Sequence, residues 1–318
     1  MMMDGVIIID KPAGKTSHDV VSEVKKILGV KKAGHTGTLD PLATGVLPVC
    51  LNEATKLASF LTEDNKEYRA TMLLGVKTDT LDTEGKIIDQ CDNIAVTGEK
   101  IRKVMMQMVG SIKQVPPDYS AVKHSGKPLY KWARSGVFFK VEPREVTIHS
   151  IVIEDISLPC ITFRVVCSKG TYIRTLCSDV GDLLGCGACL CNLRRLKSGV
   201  FSEEMAVSLN NYEGDDKKNE LSRKILPMAE LLPLLTTIEL EDHSAAKLRN
   251  GWQPSVEMMK EYDLPFLKAG DMIKFTNNSG YLLAVAEMVA PVNKFSEFDG
   301  KRQAARIVRV FNNISKEA

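Results

Sequence analysis

No stretch of the 318-residue sequence approaches 18 consecutive apolar residues, so an ordinary membrane-spanning helix is not expected. A basic segment ahead of the first apolar run is also missing. Met1 to Asp10 holds none, and the run stops at Lys11-Pro12, so this end reads as a first strand rather than an export signal. With no such signal, the eight cysteines are expected to be free thiols in a reducing cytoplasm. Cys186, Cys189 and Cys191 cluster, but no second C-x-x-C accompanies them, and structural zinc wants four ligands, usually as two spaced pairs. No metal is expected. Fixed-period repeats and low-complexity tracts are absent as well.

What is present is ordinary in bulk: 44% apolar and 26% charged residues, in a chain long enough for one large domain and one small one. Net charge is only +2, but it is unevenly spread. Residues 100–150 carry ten Lys/Arg against three Asp/Glu, whereas residues 203–243 carry four against ten. A basic surface in a near-neutral chain suits a nucleic-acid binder, since phosphate contacts supply most non-specific affinity. A merely solvated charged face fits the same numbers.

Along the chain, Gly5 to Ile9 reads as a buried strand. Thr16 and Ser17 offer an N-cap, Asp19 sits in the first turn, and Val20, Val21, Val24, Ile27 and Leu28 recur at helical spacing up to Gly29. Residues 31–48, punctuated by Gly34, Gly37, Pro41, Gly45 and Pro48, are expected to be an ordered loop without regular structure. Glu67 to Gly75 alternates like a strand, and Lys100 to Val109 fits a helix. Residues 114–145 are long, basic and aromatic (Tyr119, Tyr130, Trp132, Phe138, Phe139), and look like an inserted binding lobe. Thr147 to Ile156 and Ile161 to Cys167 suggest strands, and Thr171 to Leu184 a helix. Asn210 to Glu220 is expected to be a flexible connection, and Leu226 to Leu235 a short helix. Asp271 to Thr276, Tyr281 to Val289 and Ala305 to Phe311 carry strand signals, so a small β-rich domain is expected from about residue 236.

The densest chemical signal is Gly34-His35-Thr36-Gly37-Thr38-Leu39-Asp40-Pro41-Leu42-Ala43-Thr44-Gly45. Its glycines open backbone conformations closed to other residues, and the proline biases Asp40 to an extended backbone. A carboxylate on a stiff loop is a reasonable way to aim a nucleophile. Taken alone, the pattern equally describes an Asx turn before a proline.

The stretch GHTGTLDPLATGVLP, with KPAGKTSHD before it and YRATMLLGVKTDTLDTEG and SKGTYIRTLCSDVG after it, closely resembles the TruB family of tRNA pseudouridine synthases over about residues 5–235. A weaker likeness at about 236–310 is to a PUA domain, a small RNA-binding β-barrel module. The resemblance implies an α/β (α+β) pseudouridine synthase fold: a central mixed, largely antiparallel sheet flanked by helices, in a catalytic domain at 1–235 with the inserted RNA-binding lobe, then a small C-terminal β-barrel, PUA-like, at 236–318. It implies isomerisation of a uridine in the T-arm of tRNA (T-loop, position 55), without cofactor, by a cytoplasmic monomer needing no protein partner.

Residue by residue, the resemblance makes Asp40 the attacking carboxylate, which must be ionised to attack. Arg174 is the active-site arginine, whose guanidinium is expected to hold the carboxylate and keep its pKa low. Tyr68 offers a ring for stacking on a flipped uracil and a hydroxyl that is a weak base unless its pKa is lowered. Asp82 becomes an organiser of the arginine, and Leu193 an apolar wall for the base. His35 would intrude among the loop bases, while Lys11 and Pro12 support the site. Lys123, Tyr130, Lys131 and Arg134 lie where the family grips the T-loop, and Lys169 is a further phosphate contact. Three chemical routes fit: attack of Asp40 on ribose C1′, addition to uracil C6, or a glycal intermediate. Two rivals remain: a guide-RNA-dependent synthase of the dyskerin type, and a non-catalytic RNA-binding or RNA-folding factor. A metal hydrolase is more remote, because no His/Asp/Glu set has ligand spacing.

Overall fold

The computed structural model describes residues 3–62, 65–210, 216–249 and 251–312. Strand β1 (Gly5–Lys11) leads into helix α1 (Ser17–Leu28), strands β2 (Ala33–His35) and β3 (Thr44–Leu51), helix α2 (Ala58–Thr62) and strand β4 (Lys66–Leu74). A hairpin of β5 (Val76–Thr78) and β6 (Ile87–Gln90) precedes α3 (Gly98–Gln107) and β7 (Gly110–Gln114). Then come β8 (Lys123–His124), β9 (Lys127–Pro128) and α4 (Leu129–Ala133), followed by β10 (Arg144–Ser157), β11 (Cys160–Cys167), α5 (Ile173–Leu184) and β12 (Ala188–Ser198). β13 (Phe201–Ser202), α6 (Asp216–Arg223) and β14 (Leu226–Pro227) complete the larger part. The rest holds β15 (Thr236–Leu240), α7 (Asp242–Arg249), α8 (Val256–Met259), β16 (Met272–Asn277), β17 (Leu282–Met288) and β18 (Ala305–Val310).

The large sheet runs in the order β14-β1-β3-β12-β4-β11-β10-β7, with β2 added on β3 and β13 on β12. Its pairings are antiparallel except that between β3 and β12. The expected mixed, largely antiparallel sheet is therefore what forms. β1 reads as an unbroken apolar run because both its faces are covered. Ile7 and Ile9 join the core shared with α1 and α5, while Val6 and Ile8 join a second cluster with Leu57, Leu61 and Phe201. β4 alternates instead: Tyr68, Ala70, Met72 and Leu74 are buried, and Arg69 is exposed.

Helix α1 forms as its spacing predicts, capped by Thr16 and Asp19 in a reciprocal capping box and ended by Gly29 in the left-handed region at φ 67°. Its buried face is Val20, Val21, Val24 and Leu28, each burial favouring folding by roughly 1.5–3 kcal/mol. Val24→Asp would place an unpaired charge there and undock the helix.

The second sheet, β15-β16-β17-β18, has its own core from Ile238 to Ala305. Its pairing path is open, with no closing strand pair among the described residues, so the expected barrel is a four-stranded sheet here. Leu282, Val285 and Phe311 pack into the second cluster with Val6 and Ile8, joining the two sheets. Lys274 reinforces the junction, donating from its buried ammonium to the carbonyls of Ala229 (2.7 Å) and Leu232 (3.0 Å). No described helix is long and apolar enough to cross a membrane.

Three expectations need correction. Residues 31–48 are not one loop, because β2 pairs with β3 through Ala33–Leu51 and His35–Val49, leaving irregular chain at 31–32 and from Thr36 to Ala43. Apolar Val46 to Leu51 is wanted in the core, which overrides the turn signals at Gly45 and Pro48. Residues 211–215 of the expected connection lie outside the described residues, and 216–223 form α6, whose Leu221 is buried against α1. The expected helix at 226–235 is a bridge of strand, β14, and one 3-10 turn at Met228–Leu231. Prolines 227 and 233 break any longer helix.

Candidate active site

The irregular segment 36–43 is held from four sides. Ser17, buried at the start of α1, donates from Oγ to the Leu39 carbonyl (3.0 Å) and accepts from the Leu39 N–H (2.8 Å). The Pro41 carbonyl receives the Gly14 N–H (2.9 Å) and the ammonium of fully buried Lys11 (3.2 Å). Arg195, on β12, donates from Nη2 to the Gly37 carbonyl (3.2 Å) and from Nε to the Val46 carbonyl (2.7 Å). Within the segment the Ala43 N–H closes a turn onto the Asp40 carbonyl (3.0 Å). Gly45 is required where β3 begins: its φ is 99°, and a Cβ there would strike the backbone of Arg195.

This scaffold presents Asp40 with 33% of its side chain open to solvent, against a guanidinium that is 4% exposed. Arg174 donates from Nη2 to Asp40 Oδ1 (3.1 Å), and its Nε lies 2.9 Å from Oδ2. That second contact is ionic rather than a hydrogen bond, because the Nε–H is off line. Arg174 also donates to the carbonyls of Thr80 (2.9 Å) and Tyr119 (2.8 Å), and its Nη1 is 3.7 Å from buried Asp82. Asp82 is itself fixed by the Thr80 hydroxyl (2.6 Å) and the Glu84 N–H (3.2 Å). Asp82 and Asp40 thus both lie against the same guanidinium.

Arg174 is aimed by the start of α5, whose N-cap Tyr172 has no side-chain cap. The buried amide of Gln114 instead pins the backbone of Tyr172 itself. It accepts from the Tyr172 N–H (2.9 Å) and donates to the Tyr172 carbonyl (3.1 Å).

One electrostatic expectation is corrected. Burial pushes the Asp40 carboxyl above the usual range; Arg174 pulls it back, Asp82 adds to the rise, and Lys11 opposes it. The arginine moderates the shift without reversing it, because the pocket removes water from the acid faster than one cation replaces it. Burial likewise raises the Tyr68 hydroxyl, with Arg195 acting against the rise. Tyr68 is therefore a phenol at neutral pH, suited to donate a hydrogen bond rather than to take a proton. Burial pulls Lys11 down to about 8, with Asp40 opposing the shift.

Of the other sequence candidates, Leu193 is 5% exposed and joins the main core beside Tyr68. His35 accepts the Gly37 N–H at Nδ1 (3.4 Å), and burial lowers its pKa, which favours the neutral ring. Lys123, Tyr130, Lys131 and Arg134 lie apart from Asp40, in the excursion closed by the Gln114–Arg144 pair of β7 and β10. There the aromatic rings pack on one another, His124 stacking on Phe139 at 4.0 Å and Lys127 covering the Trp132 ring at 4.0 Å. Arg134 lies over Tyr130 at 5.6 Å, and Lys131 is exposed. Lys169 is exposed at the turn before α5. The clustered cysteines lie on or just before β12: Cys189 is buried, Cys186 and Cys191 half-buried. Among the described residues no group of three His, Cys, Asp or Glu side chains could hold a metal.

Sequence reading missed Arg195 and Gln114. Arg195 lies two residues from Leu193, yet a second arginine in Arg194-Arg195 carries no sign of which one turns inward. Gln114 had no local signal at all.

A sheet of this order with a partly open carboxylate caged by a buried arginine defines a class, and comparison with known proteins agrees. The model of the N-terminal domain of TruB family pseudouridylate synthases matches residues 25–173, and that of the tRNA pseudouridylate synthase B C-terminal domain matches 174–233. A protein of Syntrophus aciditrophicus named tRNA pseudouridine synthase B is 51% identical over 311 residues, covering 98% of this chain and 99% of that protein. One of the same name from Geotalea uraniireducens is 46% identical, covering 91% and 93%. Among solved structures, a Cbf5-Nop10-Gar1 complex contains a chain 32% identical with TM-score 0.72, covering 97% of this chain and 85% of that one. An H/ACA RNP bound to a substrate RNA containing 2′-deoxyuridine contains one 30% identical with TM-score 0.73, covering 99% and 87%. The fold is that of a pseudouridine synthase. Within that class, the chain belongs to the TruB family.

Proposed function

We infer that this protein isomerises a uridine in the T-arm of tRNA to pseudouridine, acting as a monomer without guide RNA or protein partner. The observation that carries this reading is the pairing of Asp40, open on one side, with a guanidinium that is 4% exposed. Arg174 cannot surrender its proton, so its part is to fix and orient the acid, and Asp40 is the nucleophile. Water loss raises the acid's proton affinity and with it the intrinsic reactivity of the ionised form. Tyr68 stacks on the extruded uracil and offers its hydroxyl as a donor, while Leu193 walls the base. His35 enters the RNA loop to favour flipping. The lobe at 114–145 grips the T-loop through Lys123, Tyr130, Lys131 and Arg134, and Lys169 meets a phosphate. The sheet from residue 236 serves as a PUA-like RNA-binding domain, the boundary with the catalytic domain falling near residue 235.

Mapping pseudouridine on one naked tRNA transcript tests the reading. Wild-type protein should modify one T-loop uridine, and Asp40→Asn should modify none. Full activity of Asp40→Asn would remove the nucleophile. The structural likeness to Cbf5 chains supports a second reading, guide-dependent action; wild-type protein inert on naked transcript would favour it.

A further inference from the structure

Arg195 is 1% exposed, and no carboxylate among the described residues pairs with it. Its hydrogen bonds go to the carbonyls of Val46 and Gly37, and it lies close to the hydroxyl of Tyr68, the residue directly across from it in the β12–β4 ladder. A buried guanidinium without a counter-charge is costly, and two carbonyls do not neutralise it. Among the described residues its surroundings supply no carboxylate partner. Lys11 from β1 and His35 from β2 are close enough to be repelled by it, Tyr68 stands in front, and Asp40 and Cys167 lie beside Tyr68. Asp40 is already paired with Arg174.

The register shows where this charge points. Arg195 faces Tyr68 and Leu193 faces Ala70, two residues along the same strands and therefore on the same side of the sheet, roughly 6–7 Å away. We propose that Arg195 is a positioning residue whose charge, relayed through the Tyr68 hydroxyl, is matched only when negative charge develops on the substrate's pyrimidine ring.

This rests on the function inferred above but not on its chemical route. Attack of Asp40 at C1′ makes a C1′–O bond and expels N1 with the bonding pair. Removal of the C2′ proton turns the C–H pair into a C1′–C2′ double bond and expels N1 in the same way. Addition to C6 drives the C5–C6 pair toward the C4 carbonyl oxygen. Each route leaves the ring anionic before C5 bonds to C1′ and loses its proton. A phenol held by a guanidinium is a strong donor toward such an oxygen or nitrogen, and a preorganised donor needs no reorganisation when the charge arrives.

A purely mechanical role, clamping Gly37 and Val46, is the competing account. Arg195→Lys and Arg195→Gln separate the two, using single-turnover rates on a tRNA transcript across slightly acid to alkaline pH, with tRNA affinity and melting temperature alongside. A lysine buried beside Lys11 loses its proton at lower pH than an arginine. The expected result is an Arg195→Lys rate near wild type in the acid range that falls on the alkaline side earlier than wild type, with flat tRNA affinity. Arg195→Gln should lose about 100-fold or more in rate at every pH, with tRNA affinity within about threefold. Superimposable pH profiles for Arg195→Lys and wild type, or an Arg195→Gln rate within about threefold of wild type, would overturn the proposal. If the glutamine variant does not fold, the lysine profile decides alone. Failure of the functional reading is a different result, namely no pseudouridine made by the wild-type protein.

Discussion

Replacing Arg174 with lysine keeps a positive charge at the centre of the site and removes its shape. The guanidinium spends three hydrogen bonds on three different segments, to Asp40, to the Thr80 carbonyl and to the Tyr119 carbonyl, and adds the ionic contact of Nε with Asp40. One ammonium cannot occupy the positions of Nη1, Nη2 and Nε together. At least one bond between a charged donor and its acceptor is lost, at about 1.5–3 kcal/mol, and a carbonyl in the closed pocket is left unpaired, at roughly 1–3 kcal/mol. Part of this is recovered by repacking, so a net loss of about 2–4 kcal/mol in the activated complex is expected, or roughly 30- to 1,000-fold in rate. Binding of tRNA should change little, since the arginine is 4% exposed and faces the acid rather than the RNA backbone. The assay follows from the chemistry: C5 loses its hydrogen when it bonds to the sugar, so label at uridine C5 is released to solvent once per turnover. Measured with enzyme in excess, release gives the chemical rate, and a separate titration at fixed salt gives affinity. Unchanged release by Arg174→Lys would refute the pairing as the basis of reactivity. Equal losses in rate and affinity would show that the arginine organises the RNA site instead.

Other predictions follow from the same geometry. Asp40 must be ionised to attack, and its carboxyl is raised, so the acid limb of the single-turnover rate should lie above that of an ordinary carboxylate; a limb at or below that range counts against Asp40 as the titrating group. On the alkaline side the Lys11 ammonium discharges around 8, weakening its hold on the Pro41 carbonyl, so the rate should fall there, and Lys11→Arg should move that fall to higher pH. Gln114→Ala removes both bonds to Tyr172 and should lower the rate about tenfold with tRNA affinity kept, read from the same two assays. A matching loss of affinity would mean that Gln114 shapes the lobe rather than α5. Lys131→Ala, on the exposed face of the lobe, should weaken tRNA binding and flatten the salt slope by about one unit. An unaltered slope would place this lysine away from phosphate.

Much of the fold could be read in advance because its elements carry local signals. The period of α1 and its Thr16 and Asp19 cap, the alternation of β4 and the paired strands β10 and β11 needed no tertiary information. A further exception, beside the segments already corrected, is β12, the strand at the middle of the sheet. Its Cys-Leu-Cys-Asn-Leu-Arg-Arg-Leu run has no clean alternation because register shifts fall at Leu190/Asn192 and Arg195/Lys197, so inward and outward positions change phase twice. The site divides in the same way. A resemblance written in consecutive residues pointed to Asp40, Tyr68, Asp82 and Arg174; the structure sets both acids against Arg174 and brings Tyr68 close enough to Asp40 to feel its charge.

The sequence by itself determined what is local: which residues can cap, turn or alternate, and that a carboxylate rides on a stiff loop. Only the tertiary structure decided what depends on residues distant in the chain. Arg174 meets Asp40 across 134 positions, Gln114 pins Tyr172 across 58, and Arg195 reaches Gly37 across 158. The direction of the Asp40 and Tyr68 shifts belongs to this second group, because burial outweighs the nearby cations, and the amount of water excluded is a property of the packed fold.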